Sequence, residues 1–195
     1  MSMLHTARAF VAAAAGASAR KGRMAEVINL RALSDVSDVD FRTAMRQVVA
    51  SVAIVTARAD GLRNGLTATA VCSVTAAPPT MLVCVNRGAS AEALIEASGA
   101  FAINFLTDSQ HGVARLFSTS KLAPEERFGE GKWLSLETGS PVLEGAVASF
   151  DCRVENRIAA GTHHVYFGRI VALRSLDSSS LLYRDGAFRR LEAVD

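Results

Sequence analysis

Between Gly65 and Ser90 the chain reads GLTATAVCSVTAAPPTMLVCVNRGAS. Read as one strand through Thr75, it places Thr67, Thr69, Val71, Ser73 and Thr75 on one face and Ala68, Ala70, Cys72 and Val74 on the other. A hydroxyl-rich strand face can hydrogen-bond a flat heterocycle. The following Asn86-Arg87-Gly88-Ala89-Ser90 offers a strand end, a cation, a flexible glycine and a hydroxyl beside the free N–H groups of a helix start, which suits a phosphate. The same residues also have a plain structural reading, because Thr and Val are good strand formers and Ser is a good helix cap.

A second cluster is Gly161-Thr162-His163-His164, lying between two predicted strands, where a glycine turn projects an imidazole from a strand end. An ordinary turn histidine is the alternative at both positions. Adjacent histidines on a strand point to opposite faces, and no Cys, Asp or Glu stands at a usual ligand spacing nearby, so no metal is expected. Other chemistries lack their motifs. No G-x-G-x-x-G follows a strand, and the Gly129 and Gly131 pair has no third glycine; the P-loop pattern and a G-x-S-x-G elbow are also missing.

The elements that must position these residues follow from periodicity and turn signals. Asp38 to Val49 spaces Phe41, Met45, Val48 and Val49 as an amphipathic helix, and Val52 to Ala57 reads as a strand. Asp60-Gly61 and Asn64-Gly65 are turn dipeptides separating it from the Thr67 to Thr75 strand. Pro78-Pro79 ends that strand. Thr80 to Asn86 is the next strand, Ser90 to Ser98 a helix stopped by Gly99, Phe101 to Leu106 a strand, and Ser109 to Phe117 a helix with Ser109 as its cap. Ser118 to Ser140, which holds the only tryptophan, Trp133, is polar and reads as a mobile connection beside a site. Ala148 to Ile158 alternates, with Phe150, Cys152, Val154 and Ile158 inward and Asp151, Arg153, Glu155 and Arg157 outward. Val165 to Arg174 is another strand, and a last hairpin surrounds Asp185-Gly186. Six or more antiparallel strands with a few inserted helices predict a mainly β fold, a small antiparallel barrel.

The bulk properties narrow the partners. At 195 residues and 50% hydrophobic, the chain has enough length for one full core, with residues 1–37 expected as a flexible extension and 38–195 as the domain. The first 24 residues have a faint targeting character, and their apolar run is too short to span a bilayer. A formal charge of +2, with no stretch interleaving basic and aromatic residues, argues against nucleic acid. Cys72, Cys84 and Cys152 are odd in number and form no C-x-x-C, which implies reduced, packing-related thiols and a cytoplasmic setting without a membrane anchor.

Taken together, GLTATAVCSVTAAPPTMLVCVNRGAS, EERF at Glu125 to Phe128, PVLEGAVASFDCRV at Pro141 to Val154 and GTHHVYFGRI at Gly161 to Ile170 resemble the flavin reductase domain family. The likeness covers about Phe41 to Leu191 and points to the small reductase components of two-component flavin monooxygenases, of the 4-hydroxyphenylacetate 3-monooxygenase reductase type. It implies an FMN-binding split barrel, a Greek-key antiparallel β-barrel, usually a homodimer with flavin near the subunit interface. It also implies an NAD(P)H:flavin oxidoreductase that reduces FMN or FAD with NADH or NADPH and supplies the product to a separate monooxygenase.

By the same resemblance Thr67, Ala68 and Thr69 lie against the isoalloxazine ring with Ser73 nearby. Asn86 and Ser90 then lie toward the ribityl phosphate, with Arg87 beside them as the cation of that turn, and His163, the candidate catalytic residue, contacts the nicotinamide nucleotide together with Gly161. Gly168 stands at the family's spacing, and Thr162 replaces an Asp found in many members. Two other readings stay open at this stage: a flavin-dependent cob(II)yrinic acid a,c-diamide reductase of cobalamin biosynthesis, and a non-catalytic flavin- or haem-binding module of the same fold.

Overall fold

The computed structural model describes residues 36–194, so the extension expected over residues 1–37 lies almost wholly outside the described residues. The order is α1 (Asp38–Met45), β1 (Ala50–Ser51), β2 (Ala53–Ala59), β3 (Leu62–Ala68), β4 (Val71–Ala76), β5 (Pro79–Asn86), α2 (Glu92–Ser98) and β6 (Ala100–Phe105). A 3₁₀ turn (Asp108–Gln110) then leads into α3 (His111–Ser118), followed by α4 (Pro124–Arg127), β7 (Trp133–Ser135), β8 (Pro141–Leu143), β9 (Ala148–Ala160), β10 (His163–Ser175), β11 (Leu182–Arg184) and β12 (Ala187–Arg189). No helix among the described residues is long and apolar enough to cross a membrane.

Seven strands form one antiparallel sheet in the order β3-β2-β6-β9-β10-β5-β4. Its two edge strands, β3 and β4, are consecutive in the chain. Thr69 and Ala70 alone link them, so the chain crosses from one edge of the sheet to the other in two residues and the sheet curls into a barrel with a seam. Along that seam β3 touches β5 without a ladder. The predicted strand from Thr67 to Thr75 is therefore two strands facing different partners. Its supposed single hydroxyl face is broken again by a register shift between Ser73 and Thr75.

Turn chemistry sets the hairpins. Asp60 and Gly61 (φ +50° and +80°) join β2 to β3, and Asp185 and Gly186 (φ +48° and +77°) join β11 to β12, as two-residue turns that need positive φ at both positions. Asn64-Gly65 is no turn but lies inside β3. A Cβ on Gly65 would sit 2.7 Å from Phe117 Cε1 and 2.8 Å from Val55 O, so the glycine admits α3 against the sheet. The first turn of the predicted Ser90 helix is also lost. Ala91, not Ser90, precedes α2, and Gly99 (φ +63°) closes it with its N–H on Ile95 O. Likewise Thr107, not Ser109, begins the 3₁₀ turn, its N–H bonded to Gln110 Oε1 at 3.1 Å.

Strand β2 is buried on both faces, as its near-continuous apolar run requires. Ala53, Val55 and Ala57 pack with Val83, Val85, Phe101, Ile103 and Tyr166, while Val52 and Ile54 pack with Val113, Phe117, Phe128 and Leu143. The stretch expected to be a mobile connection contributes Phe128 and Trp133 to the second cluster. There Phe117, Phe128 and Trp133 stack at 4.8–5.4 Å between ring centroids, and β7 pairs with β8. Asn104 fastens β8 to the barrel: its amide donates to Ile54 O, and its oxygen accepts from Leu143 N and Ser149 Oγ. In β9 the predicted alternation holds only partly. Asp151 is fully buried, accepting from the N–H and hydroxyl of Thr138, because this half of the strand is covered on both sides, whereas Ile158 is half exposed. Helix α1 ends at Met45 and buries none of its residues; Phe41, Met45, Val48 and Val49 stand in solvent.

Candidate functional site

The residues singled out from sequence fall into two groups, Thr67 to Thr69 at the seam and the Asn86 and His163 turns at the neighbouring strand end. Ala70 O accepts the N–H of Cys84 in β5, which sets Thr69 and Ala70 beside the end of that strand. His163 opens β10 directly opposite Asn86, and Thr162 O accepts the N–H of Arg87, so the Gly161 turn and the Asn86 turn are hydrogen-bonded neighbours despite their separation in sequence. Gly161, at φ +55°, supplies the reversal that returns the chain from β9 to β10.

The hydroxyls divide into two kinds. Thr67 donates to Ala114 O of α3 at 2.8 Å and is thereby spent on packing the helix. The hydroxyls of Thr69, Ser73 and Ser90 are exposed and have no partner among the described residues. Ala68 is buried in the barrel core. Thr69 lines two hollows, one of about 560 Å³ shared with Ala70, Arg42, Arg46 and Tyr183, and one of about 240 Å³ shared with Thr67, Ser118 and Phe188.

The Asn86 turn differs from its sequence reading. The N–H of Arg87 goes to Thr162 O, that of Gly88 to Asn86 Oδ1 and that of Ala89 to Asn86 O, so these three donors are consumed within the protein. What remains outward is side chain: the Ser90 hydroxyl and the exposed Arg87 guanidinium, which pairs with no described residue. Ser90 lines a further cavity of about 390 Å³ with Arg63, Asn64, Leu94 and Glu125. Sequence reasoning passed over Arg63 and Asn64 because Asn64-Gly65 has the look of a turn. The signal that could have found them is the cation two residues after a hairpin turn, level with the EERF motif.

The two histidines separate as strand geometry demands. His163, half-buried, meets only the Thr162 hydroxyl, Nδ1 to Oγ1 2.9 Å, and its other ring nitrogen has no partner among the described residues. His164 points the opposite way into α2, with Nδ1 2.6 Å from Glu92 Oε1. Tyr166 donates to Glu92 and to Glu96, and Arg157 pairs with Glu96. Burial pulls the Glu96 carboxyl upward, but the hydrogen bonds from Tyr166 and Arg157 outweigh it and hold the group below the ordinary range. Burial and both carboxylates push the Tyr166 phenol up. Donor atoms of Glu92, Glu96 and His164 all lie within 4.8 Å of one another, a cluster that sequence spacing had not suggested. Each is already engaged by a neighbour, so the cluster reads as a latch holding α2 to β10. The thiols take no part: burial, with Asp151 beside it, pushes Cys152 up to about 12, and burial followed by the nearby Cys72 raises Cys84.

Gly168 has a packing reason. A Cβ there would overlap the Phe101 ring and lie 2.8 Å from Cys152 Cβ, so β10 can cross the barrel core only without a side chain at this point.

A barrel left open along one seam, with an unpaired hydroxyl at that seam and an imidazole across the neighbouring strand end, has the split-barrel architecture of flavin-handling oxidoreductases. The chain belongs to the flavin reductase like domain family, which matches residues 45–192. It is 43% identical over 143 residues to "FMN reductase (NADH) RutF" of Stutzerimonas stutzeri (strain A1501), covering 73% of this chain and 82% of the relative. Among solved structures, a protein of Haemophilus somnus 129pt assigned as a flavin reductase superposes with a TM-score of 0.78 at 36% identity, over 80% of this chain and all of that one. BorF, the flavin reductase component of a bacterial two-component tryptophan halogenase, superposes with a TM-score of 0.74 at 28% identity, over 81% of this chain and all of BorF.

Proposed function

We propose that this chain is an NADH:FMN oxidoreductase that releases reduced flavin to a separate flavin-dependent oxygenase. The observation that carries the reading is the seam, where Thr69, within the two-residue crossing, keeps an unpaired exposed hydroxyl and Ala70 O is bonded to Cys84 of β5, the strand whose end at Asn86 faces His163. The donor set fits a flavin: exposed hydroxyls at Thr69 and Ser73 for a flat polar ring, and cationic and hydroxyl side chains around Ser90 for its tail. Bound FMN supplies the hydride acceptor, and catalysis by the protein is then mainly a matter of placement. His163 orients the nicotinamide nucleotide through its free ring nitrogen, while its Nδ1 is held by Thr162. Thr69 and the strand-end backbone around Ala70 stabilise negative charge at the ring edge. Thr162 in place of an acid leaves that turn uncharged, so orientation and not proton delivery is its task.

The release of product follows from openness. Thr69, Ser73, Asn86 and Ser90 are all exposed, and the hollows that Thr69 and Ser90 line are open to solvent. Delivery to a second protein is supported by BorF, which serves a halogenase. A homodimer is part of the reading, because the bare apolar face of α1 and the exposed Val74 and Ile158 suit a second copy of this chain.

Steady-state NADH oxidation with FMN, FAD and riboflavin in turn tests the proposal. FMN-dependent turnover is expected, with a His163→Ala variant raising the KM for NADH by about tenfold, the loss of one well-placed hydrogen bond. No flavin-dependent NADH oxidation by the wild-type protein would overturn it.

A further inference from the structure

His163 sits at the end of an arm. Every residue from Glu155 to Thr162, the tip of the β9–β10 hairpin, is exposed, and His163 occupies the last position of both ladders, opposite Ala160 on one side and Asn86 on the other. Ladder ends open most easily, so something besides backbone pairing must steady this tip. One face of the arm supplies it. Tyr166 lies opposite Arg157 in register, and the His164 ring stands edge-on to that of Tyr166, with centroids 5.9 Å apart, so the three side chains share a face.

Helix α2 meets that face with two acids four residues apart, hence on one side of the helix. Each takes hold of a different strand. Glu92 Oε1 accepts from His164 Nδ1 at 2.6 Å and from Tyr166 at 3.0 Å, both of β10, while Glu96 pairs with Arg157 of β9 and accepts from Tyr166 as well. The His164 and Glu92 side chains are 12% and 14% exposed, against 43% and 37% for Arg157 and Glu96. The Glu92 half of the latch is therefore the stronger one, because water replaces a shielded partner poorly and an exposed partner well. His164 is also one peptide bond from His163, whose ring meets only the hydroxyl of the neighbouring Thr162. That ring goes where the backbone beneath it goes.

We propose that Glu92 is a positioning residue for the nicotinamide nucleotide: it holds His164, and through it the backbone that presents His163. The role rests on the flavin reductase reading above and adds to it a carboxylate on the side of β10 opposite His163. Such a group acts through the geometry of binding, so it moves the KM for NADH and leaves kcat nearly alone.

Steady-state kinetics of Glu92→Ala, alone and combined with His163→Ala, tests the role. Glu92→Ala is expected to raise the KM for NADH by about threefold with kcat and the Kd for FMN within about twofold, and Glu92→Gln, which keeps an accepting oxygen for both donors, to restore the KM. In the His163→Ala background Glu92→Ala should add less than about 1.5-fold, because the ring through which it acts is already gone. The same fold-rise in both backgrounds would overturn the role, as would a Kd for FMN that rises in step with the KM for NADH, which would place the effect on the Ser90 turn. Amide hydrogen exchange reads the latch without turnover: Glu92→Ala is expected to speed exchange at Ala159 to His164 by about tenfold and to leave Phe101 to Ile103 in β6 unchanged. An unchanged tip, or a uniform rise across the barrel, would overturn the latch. A wild-type protein without flavin-dependent NADH oxidation refutes the parent reading and this role with it; an active wild type whose two substitutions act independently refutes the role alone.

Discussion

Thr67 and Thr69 have the same side chain, sit two residues apart, and do different work. The first is bonded to Ala114 O and holds α3, while the second is unpaired at the seam. Thr67→Val is expected to cost about 1 kcal/mol of stability, the usual net worth of one hydrogen bond, with little change in flavin affinity. Thr69→Val should do the reverse. Thermal or urea denaturation alongside flavin titration separates the two, and equal behaviour of both variants would contradict the division. Neither role is visible in the sequence, where the pair looks equivalent; the bond partner of Thr67 lies 47 residues away. The turn that carries His163 was legible because Gly161 stands before a strand, whereas the hollow beside Ser90 was not, since it forms only where the start of β3 and α4 come beside that residue.

At the scale of elements, strand existence was readable and strand partnership was not. The run from Thr67 to Ala76 carries no break that propensity can see, because Thr69 is a good strand former and Ala70 disfavours a strand only weakly. The outward reading of Asp151 failed for a similar reason: alternation reports one buried face, and Thr138 covers the other. Gly168 shows the opposite case, a residue noticed by spacing whose cause is local crowding. Gly168→Ala is expected to destabilise the fold by about 1–3 kcal/mol through overpacking against Phe101 and Cys152. Denaturant unfolding measures it, and an unchanged midpoint would show that β10 can shift to make room.

For the whole molecule, the surface that stays apolar is the part most in need of company. Phe41, Met45, Val48 and Val49 read from sequence as the apolar stripe of an amphipathic helix, and among the described residues all four stay about half exposed, Met45 and Val48 lining the hollow beside Thr69. If the proposed dimer forms through this stripe, Val48→Asp with Val49→Asp is expected to convert it to monomer in light scattering coupled to gel filtration; a wild-type monomer would overturn the dimer, and a dimer indifferent to both charges would place the contact elsewhere. The crossing at Thr69 and Ala70 has a consequence for the energetics of assembly. Joining the two edges of the sheet through a two-residue link closes almost no loop, whereas pairing β6 with β9 must gather all the chain between Phe105 and Ala148. The difference in closure entropy is on the order of 2 kcal/mol in favour of the crossing. The wall of the candidate site is thus the part of the barrel whose ends are never far apart, and the long-range ladder behind it bears most of the ordering cost.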